Sequence, residues 1–297
     1  MPPREPSTAT CSRASSCKRM QRLISVNWRA TFGFLKKPDV NEGIYLTYNL
    51  LHKPALLGIL GAVAGLGGYG RPDYMRPERI LEYRRKLAGV RVAIAPIEAS
   101  ALPLAHLAAS QHGSDRGNFR KAVIKYTNTV GYANDGATLI VAEQTLLGPA
   151  YRTWLLLDDA DDTQADLLRR LQTQQAEFVP YLGKNEFPLW WENVREWDWE
   201  PATPTSFFRV SSIFQKPSAE QVARKTEGGR RAGGKLGTFL YFERLPLGFQ
   251  KMGKEEQYQL AEFMLTDFEL EPDQGLTDLL HARNPANPAE NHVIQVF

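Results

Sequence analysis

Lys53-Pro54-Ala55-Leu56-Leu57-Gly58-Ile59-Leu60-Gly61-Ala62-Val63-Ala64-Gly65-Leu66 is an apolar stretch punctuated by glycine at a helical interval. Proline suits the first helical turn, where its missing N–H loses no partner, so Pro54 predicts a helix start. Gly58, Gly61 and Gly65 stand at i, i+3 and i+7 and share one face. Each costs a helix about 1 kcal/mol relative to alanine, so a face of them predicts close approach to another backbone. Lys53 lies at the end where unpaired N–H groups and the helix dipole favour anions. The stretch predicts a tightly packed core helix, with an anion site at its start as an addition.

Upstream, Leu23-Ile24-Ser25-Val26-Asn27-Trp28 has the β-branched and aromatic content of a strand. A lysine-bearing loop, Lys36 to Asn41, and a short segment, Ile44 to Tyr48, lead into the helix. Strand, loop and helix in this order open a ferredoxin-like half, which the periodicity permits without requiring. Downstream, Tyr69 to Arg91 is basic, with a helix expected within 77–87. Strands are expected at 91–97, 121–132, 139–147 and 151–157, with a polar loop at 110–118. Asp158-Asp159-Ala160-Asp161-Asp162 resembles a metal site, but calcium-loop spacing is missing. Acids before a helix-forming run, Thr163 to Gln175, are better read as helix N-terminal charges. Trp190, Trp191, Trp197 and Trp199 suit a core edge or protein interface ahead of base stacking. Gln215 to Lys235 is polar and glycine-rich, either a basic clamp on RNA through Arg230, Arg231 and Lys235 or a solvated loop. Strand-like runs follow at 238–245 and 259–268. Residues 271–297 read as a tail with little core. Residues 1–19 lack large apolar side chains and read as a flexible arm or a start placed too early.

Of the 297 residues, 43% are hydrophobic and 23% charged, ordinary for a soluble domain. No apolar run approaches the ~20 residues that span a bilayer, and a signal-peptide core is missing, so a cytoplasmic protein is expected. Cys11 and Cys17 make neither a disulfide framework nor a zinc site. The net charge of +3 hides an asymmetry: residues 1–140 carry +11 and residues 141–297 carry −8. The basic half suits a polyanion, whose counterions are released on binding.

Chemistry-bearing motifs are sparse. There is no phosphate-binding glycine loop and no complete dinucleotide fingerprint. The five histidines are scattered without metal-ligand spacing, and no metal or cofactor is expected. Tyr45, Tyr48, His52 and Lys53 form one titratable cluster, of the types that metal-free RNA cleavage uses as base, acid and phosphorane-stabilising cation.

Three ordered segments carry a family resemblance. Asn41-Glu42-Gly43-Ile44-Tyr45-Leu46-Thr47-Tyr48-Asn49, followed by Lys53 to Gly61, is similar to the N-terminal signature of the fifth CRISPR-associated ("Cas five") family. Pro180-Tyr181-Leu182-Gly183-Lys184-Asn185-Glu186-Phe187-Pro188 resembles its Tyr-Leu-Gly-Arg/Lys segment, and Glu243-Arg244-Leu245-Pro246-Leu247-Gly248-Phe249 resembles the Glu-x-Leu-Pro segment of its type I-B branch. The resemblance implies an α+β fold: a ferredoxin-like, RRM-like RAMP domain over residues 20–157. A protruding basic thumb would lie at about 70–135, and a helix and β-rich C-terminal region at 158–270. It implies a non-catalytic subunit of a type I surveillance complex (Cascade). Such a subunit holds the 5′ handle of the CRISPR RNA, caps the backbone of seventh-family subunits and docks the large PAM-reading subunit. The RNA-side residues expected are Lys36, Lys37, Tyr45, Tyr48, Lys53, Arg120, Lys121, Lys125, Lys184 and Asn185, with Arg230, Arg231 and Lys235. One family branch processes its own CRISPR RNA with Tyr, Lys and a neighbouring His. This chain has no Lys-His dipeptide, which disfavours that reading. A generic single-strand RNA-binding module is the remaining alternative.

Overall fold

In the computed structural model, which describes residues 21–38, 43–68, 80–99, 113–127, 140–216, 237–252, 255–272 and 275–297, the run Leu23–Trp28 becomes the middle of the main sheet. Strand β1 (Gln21–Ala30) is followed by the short strands β2 (Phe32–Gly33), β3 (Leu35–Lys36), β4 (Ile44–Tyr45) and β5 (Thr47–Tyr48). Helices α1 (Lys53–Ala64) and α2 (Glu82–Lys86) lead to β6 (Arg91–Pro96), β7 (Arg120–Thr127), β8 (Ile140–Leu147) and β9 (Ala150–Asp158). Helix α3 (Asp162–Gln172) precedes β10 (Leu189–Pro201), β11 (Phe214–Gln215), β12 (Leu240–Met252), β13 (Glu255–Thr266), β14 (Leu279–Arg283) and β15 (Asn291–Gln295).

The main sheet has the antiparallel order β15-β14-β10-β1-β9-β6. Within it, β1-α1-β6 and β9-α3-β10 form a repeated split βαβ pattern, in which each helix joins strands that have another strand between them. From Leu23 to Trp28 both faces of β1 are buried, and period-two alternation sends successive side chains to two different cores. Ile24, Val26 and Trp28 join the core under α1 and α3, with Leu56, Leu60, Val63, Leu167 and Leu171. Leu23 joins a second core with Ala93, Trp154, Leu156, Trp197, Leu280 and Ile294. Asp161 caps α3, accepting from the N–H groups of Thr163 and Gln164 at 2.9 and 3.1 Å, so the acidic cluster marks a helix start.

Several expectations change. Residues 271–297 are not a tail: β14 and β15 extend the main sheet, with Leu280, Ala282, Ile294 and Val296 buried. Their apolar positions are short and proline-flanked, so they carry too little periodicity to be read as core from sequence. The tryptophan-rich segment is a strand: Trp191 and Trp197 are core, while Trp190 is 44% exposed. Residues 91–96, inside the span assigned to the thumb, are the edge strand β6, whose Val92, Ala93 and Ile94 are fully buried. The basic ribbon is instead β7 paired with β8, which runs on to Leu147. The region 158–270 contributes to the main sheet, because β10 pairs with β1 along Leu189–Trp197.

The glycine face of α1 also divides. At Gly61 a methyl group would lie 2.6 Å from Cβ of Tyr83, so this glycine admits a close neighbour, a side chain on α2 rather than a backbone. Gly58 would meet nothing within 4 Å. Gly65 is the left-handed C-cap, at φ 74°, and the following N–H, of Leu66, bonds Gly61 O at 2.8 Å.

Candidate nucleic-acid interface

The N-terminus of α1 is closed by His52. Its extended backbone (φ −117°, ψ 157°) turns Nδ1 onto the N–H of Ala55, at 3.3 Å. An accepting Nδ1 places the ring proton on Nε2. The ring is 5% exposed and packs edge-on against Tyr48 (5.3 Å) and Tyr258 (5.9 Å). Burial without a compensating anion pushes its pKa down to about 3, so it is neutral at physiological pH.

Asn49 ties the preceding turn to the ribbon. Its Nδ2 donates to Gly117 O at 2.5 Å, its Oδ1 accepts from Phe119 N–H at 3.0 Å, and its carbonyl accepts from the Tyr151 hydroxyl at 2.7 Å. The N–H groups of Asn49 and Leu50 both donate to the Glu243 carboxylate, at 3.0 Å each. Lys37 Nζ reaches the same carboxylate at 3.1 Å. Glu243 is 9% exposed, so its charge is met by backbone donors and one ammonium instead of water. Burial first, and Glu243 beside it, raise the phenol pKa of Tyr241.

Gly183, at φ 87°, passes so close to Phe34 that a methyl group would strike the Phe34 carbonyl at 1.8 Å. The neighbouring Leu182 carbonyl accepts from Phe34 N–H at 3.1 Å. The segments 43–61, 180–188 and 243–249, far apart in the chain, therefore meet around β3, β5 and the start of α1. Beside them lies a groove of about 810 Å³. Its walls include Phe34, Ile59, Tyr83, Phe249 and Tyr258, and His52 and Gly58 also line it. Lys36 and Lys184 are its lysines, and the lining includes no carboxylate side chain among the described residues.

The expected RNA-side residues separate into groups. Lys36 is exposed, with Nζ 3.8 Å from the centre of the half-buried Tyr45 ring. Arg120 and Lys125 are exposed on β7, and Asn185 is exposed. Lys121 is exposed on β7 as well, near Glu243 and Lys37, and partial desolvation of its ammonium lowers its pKa from the ordinary lysine value. Lys37 is held by Glu243. Lys184 is held by Glu143 at 2.7 Å, with its ammonium 4.3 Å from the Tyr126 ring centre. Tyr48 is 2% exposed and is a core residue. Lys53 does not present its ammonium to an anion at the helix start. Nζ donates to the main-chain oxygen of Phe297 at 2.8 Å, and burial followed by the nearby Arg91 charge lowers its pKa. The reason is the C-terminal strand segment, which the sequence reading placed outside the core. Arg230, Arg231 and Lys235 lie outside the described residues.

Within the Tyr45, Tyr48, His52 and Lys53 cluster, capping occupies His52 Nδ1 and the Phe297 oxygen occupies Lys53. Sequence reading missed Glu243 and Asn49 as organising residues. The available signal was an acid at an inward strand position, between Tyr241 and Leu245, where period-two alternation demands burial. Among the described residues no group of three metal-ligating side chains gathers, and no helix is long and apolar enough to cross a membrane.

No protein-family model and no curated protein sequence matches this chain. Solved structures with a similar chain course include a chain of a CRISPR RNA-guided surveillance complex, at 15% identity and a TM-score of 0.40, covering 83% of this chain and 91% of that one. A CRISPR protein from Archaeoglobus fulgidus is similar at 11% identity and a TM-score of 0.40, covering 92% and 99%. A chain of the type III-B Cmr-beta complex bound to cognate target RNA and AMPPnP is similar at 9% identity and a TM-score of 0.42, covering 84% and 86%.

Proposed function

We propose that this chain is an RNA-binding subunit of a type I CRISPR surveillance complex, of the I-B kind, built on a ferredoxin-like RAMP core. In this reading it holds the 5′ handle of the CRISPR RNA without cutting it, caps a backbone of seventh-family subunits and docks the large PAM-reading subunit. The observation that carries the reading is the meeting of the three family-like segments at one aromatic groove that holds lysines and, among the described residues, no carboxylate. Single-stranded RNA is recognised by splaying bases onto aromatic side chains and pairing phosphates with cations. Lys36 at the groove and Arg120 and Lys125 on the ribbon supply the cations.

Purification of the tagged protein from its host, followed by sequencing of the bound RNA, tests this. The expected result is one RNA population sharing a constant, repeat-derived 5′ segment, co-purifying with a repeated backbone subunit. Recovery of no RNA, or of RNA without a common 5′ segment, overturns the reading. The same protein incubated with end-labelled repeat RNA is expected to bind and leave it whole; specific cleavage at the handle boundary would replace this reading with a processing nuclease.

A further inference from the structure

His52 is a nearly buried polar side chain with one nitrogen unspent. Nδ1 is committed to the Ala55 N–H. Nε2, which then carries the proton, has no hydrogen-bond partner among the described residues. The ring lines the groove, so this N–H is open to whatever the groove holds. The groove has mainly apolar and aromatic walls. Its volume of about 810 Å³ lies within the range typical of small-ligand sites, roughly 300–1,000 Å³.

We propose that this groove takes one unstacked nucleobase of single-stranded RNA, with His52 Nε2–H donating to a carbonyl oxygen or ring nitrogen on the base edge. The inference rests on the RNA-binding reading above and assigns to it a base-selecting site. Three observations favour a base over an aliphatic or acidic occupant. The aromatic walls, Phe34, Tyr83, Phe249 and Tyr258, suit a flat ring. The donor seeks an acceptor, which an alkyl chain lacks. Lys36 lies at the groove to meet the phosphate of the same nucleotide, and among the described residues no carboxylate side chain of the lining repels it. Gly58 completes the geometry: the α1 backbone forms part of the lining at a position where nothing lies within 4 Å of a Cβ. Glycine there leaves room that alanine or leucine would fill.

The test uses the full-length protein and the RNA recovered with it, resynthesised as a series with one abasic nucleotide at each position of the 5′ segment. In the parent protein, one position is expected to weaken binding about ten-fold when its base is removed, the size of a lost stacking contact. Gly58→Leu, whose side chain occupies the groove, is expected to weaken intact RNA by a similar factor and to add nothing at that abasic position. It should melt at or above the parent temperature, because its Cβ meets no neighbour and leucine favours a helix over glycine. His52→Asn, which keeps a capping oxygen and loses Nε2–H, is expected to lose part of the affinity, again without further loss at that position. Should Gly58→Leu melt below the parent, His52→Asn decides by the same non-additivity. An abasic series with no distinguished position, or a distinguished position whose effect adds fully to both variants, overturns the base site and leaves the RNA-binding reading standing. A parent that retains no RNA overturns both.

Discussion

His52 and Glu243 show how single side chains set the region around α1. His52 is neutral because burial opposes its charge, and its neutral ring supplies the acceptor that caps the helix. Its folded pKa of about 3 lies below the unfolded value of 6.5, so the folded state binds fewer protons. The stability contribution is complete above pH 6.5 and falls as pH drops toward the folded pKa. Urea unfolding at a series of pH values should therefore show the parent losing more stability between pH 6.5 and 4 than His52→Asn, whose cap does not titrate. Parallel curves would show that His52 does not titrate as a buried group. Glu243 works in the opposite sense, as a buried charge satisfied by the Asn49 and Leu50 N–H groups and by Lys37. Glu243→Ala removes every one of those bonds and strands buried donors. It should destabilise the fold by about 3 kcal/mol, read as a lowered urea midpoint at unchanged slope. A loss under about 0.5 kcal/mol, the size of an ordinary surface substitution, would mean that the turn at Asn49 is held by other bonds.

At the scale of the element, α1 shows that a shared sequence face is not a shared role. Gly61 is needed for close approach: its Cβ position is 2.6 Å from Tyr83 Cβ, and Tyr83 is itself 9% exposed. Gly61→Leu should cost about 1–3 kcal/mol through overpacking, with α2 displaced. Gly58→Ala should instead stabilise by up to about 1 kcal/mol, since the same face is open one turn earlier. Thermal melts of the pair check this, and equal shifts of the same sign would contradict the placement of α2. The basic ribbon is a second case. On β7, residues alternate between half-buried Ala122, Ile124 and Tyr126 and exposed Val123, Lys125 and Thr127, so one face of the strand packs while the other presents charge.

Across the whole molecule, the chain's last residues close the fold. β15 pairs with β14, Phe297 bonds Val92 in both directions at 3.0 and 3.2 Å, and its ring lies 5.0 Å from that of Phe263. Ile294 and Val296 are at most 1% exposed, and Lys53 is anchored on the Phe297 oxygen. Removing residues 291–297 should therefore prevent cooperative folding, as judged by loss of a sharp thermal transition. A truncated protein melting within a few degrees of the parent would show that the C-terminal strand is accessory. The sheet explains the severity: β15 and β14 supply Ile294, Leu280 and Ala282 to the core on the far side of β1, and without them Trp154 and Trp197 would face water.

Local pattern alone determined the elements whose own periodicity is strong. The alternation of Leu23–Trp28, the proline-started helix at 53–64 and the acid-capped helix at 162–172 were legible because each repeats its signal within a few residues. Three motif segments were legible as well, but only as separate strings. The tertiary structure decided what those residues do. It placed Tyr48 in the core, gave Lys53 to Phe297 and Lys184 to Glu143, and left Lys36 at the groove. It separated Gly58 from Gly61, which sequence spacing put on one face. The reason is physical: a side chain's partner is fixed by long-range pairing, here between residues from 41 positions apart, as Lys184 with Glu143, to 194 apart, as Asn49 with Glu243. No periodic signal spans such a distance, so which cation is spent on structure and which is left for a ligand emerges only when the strands pair.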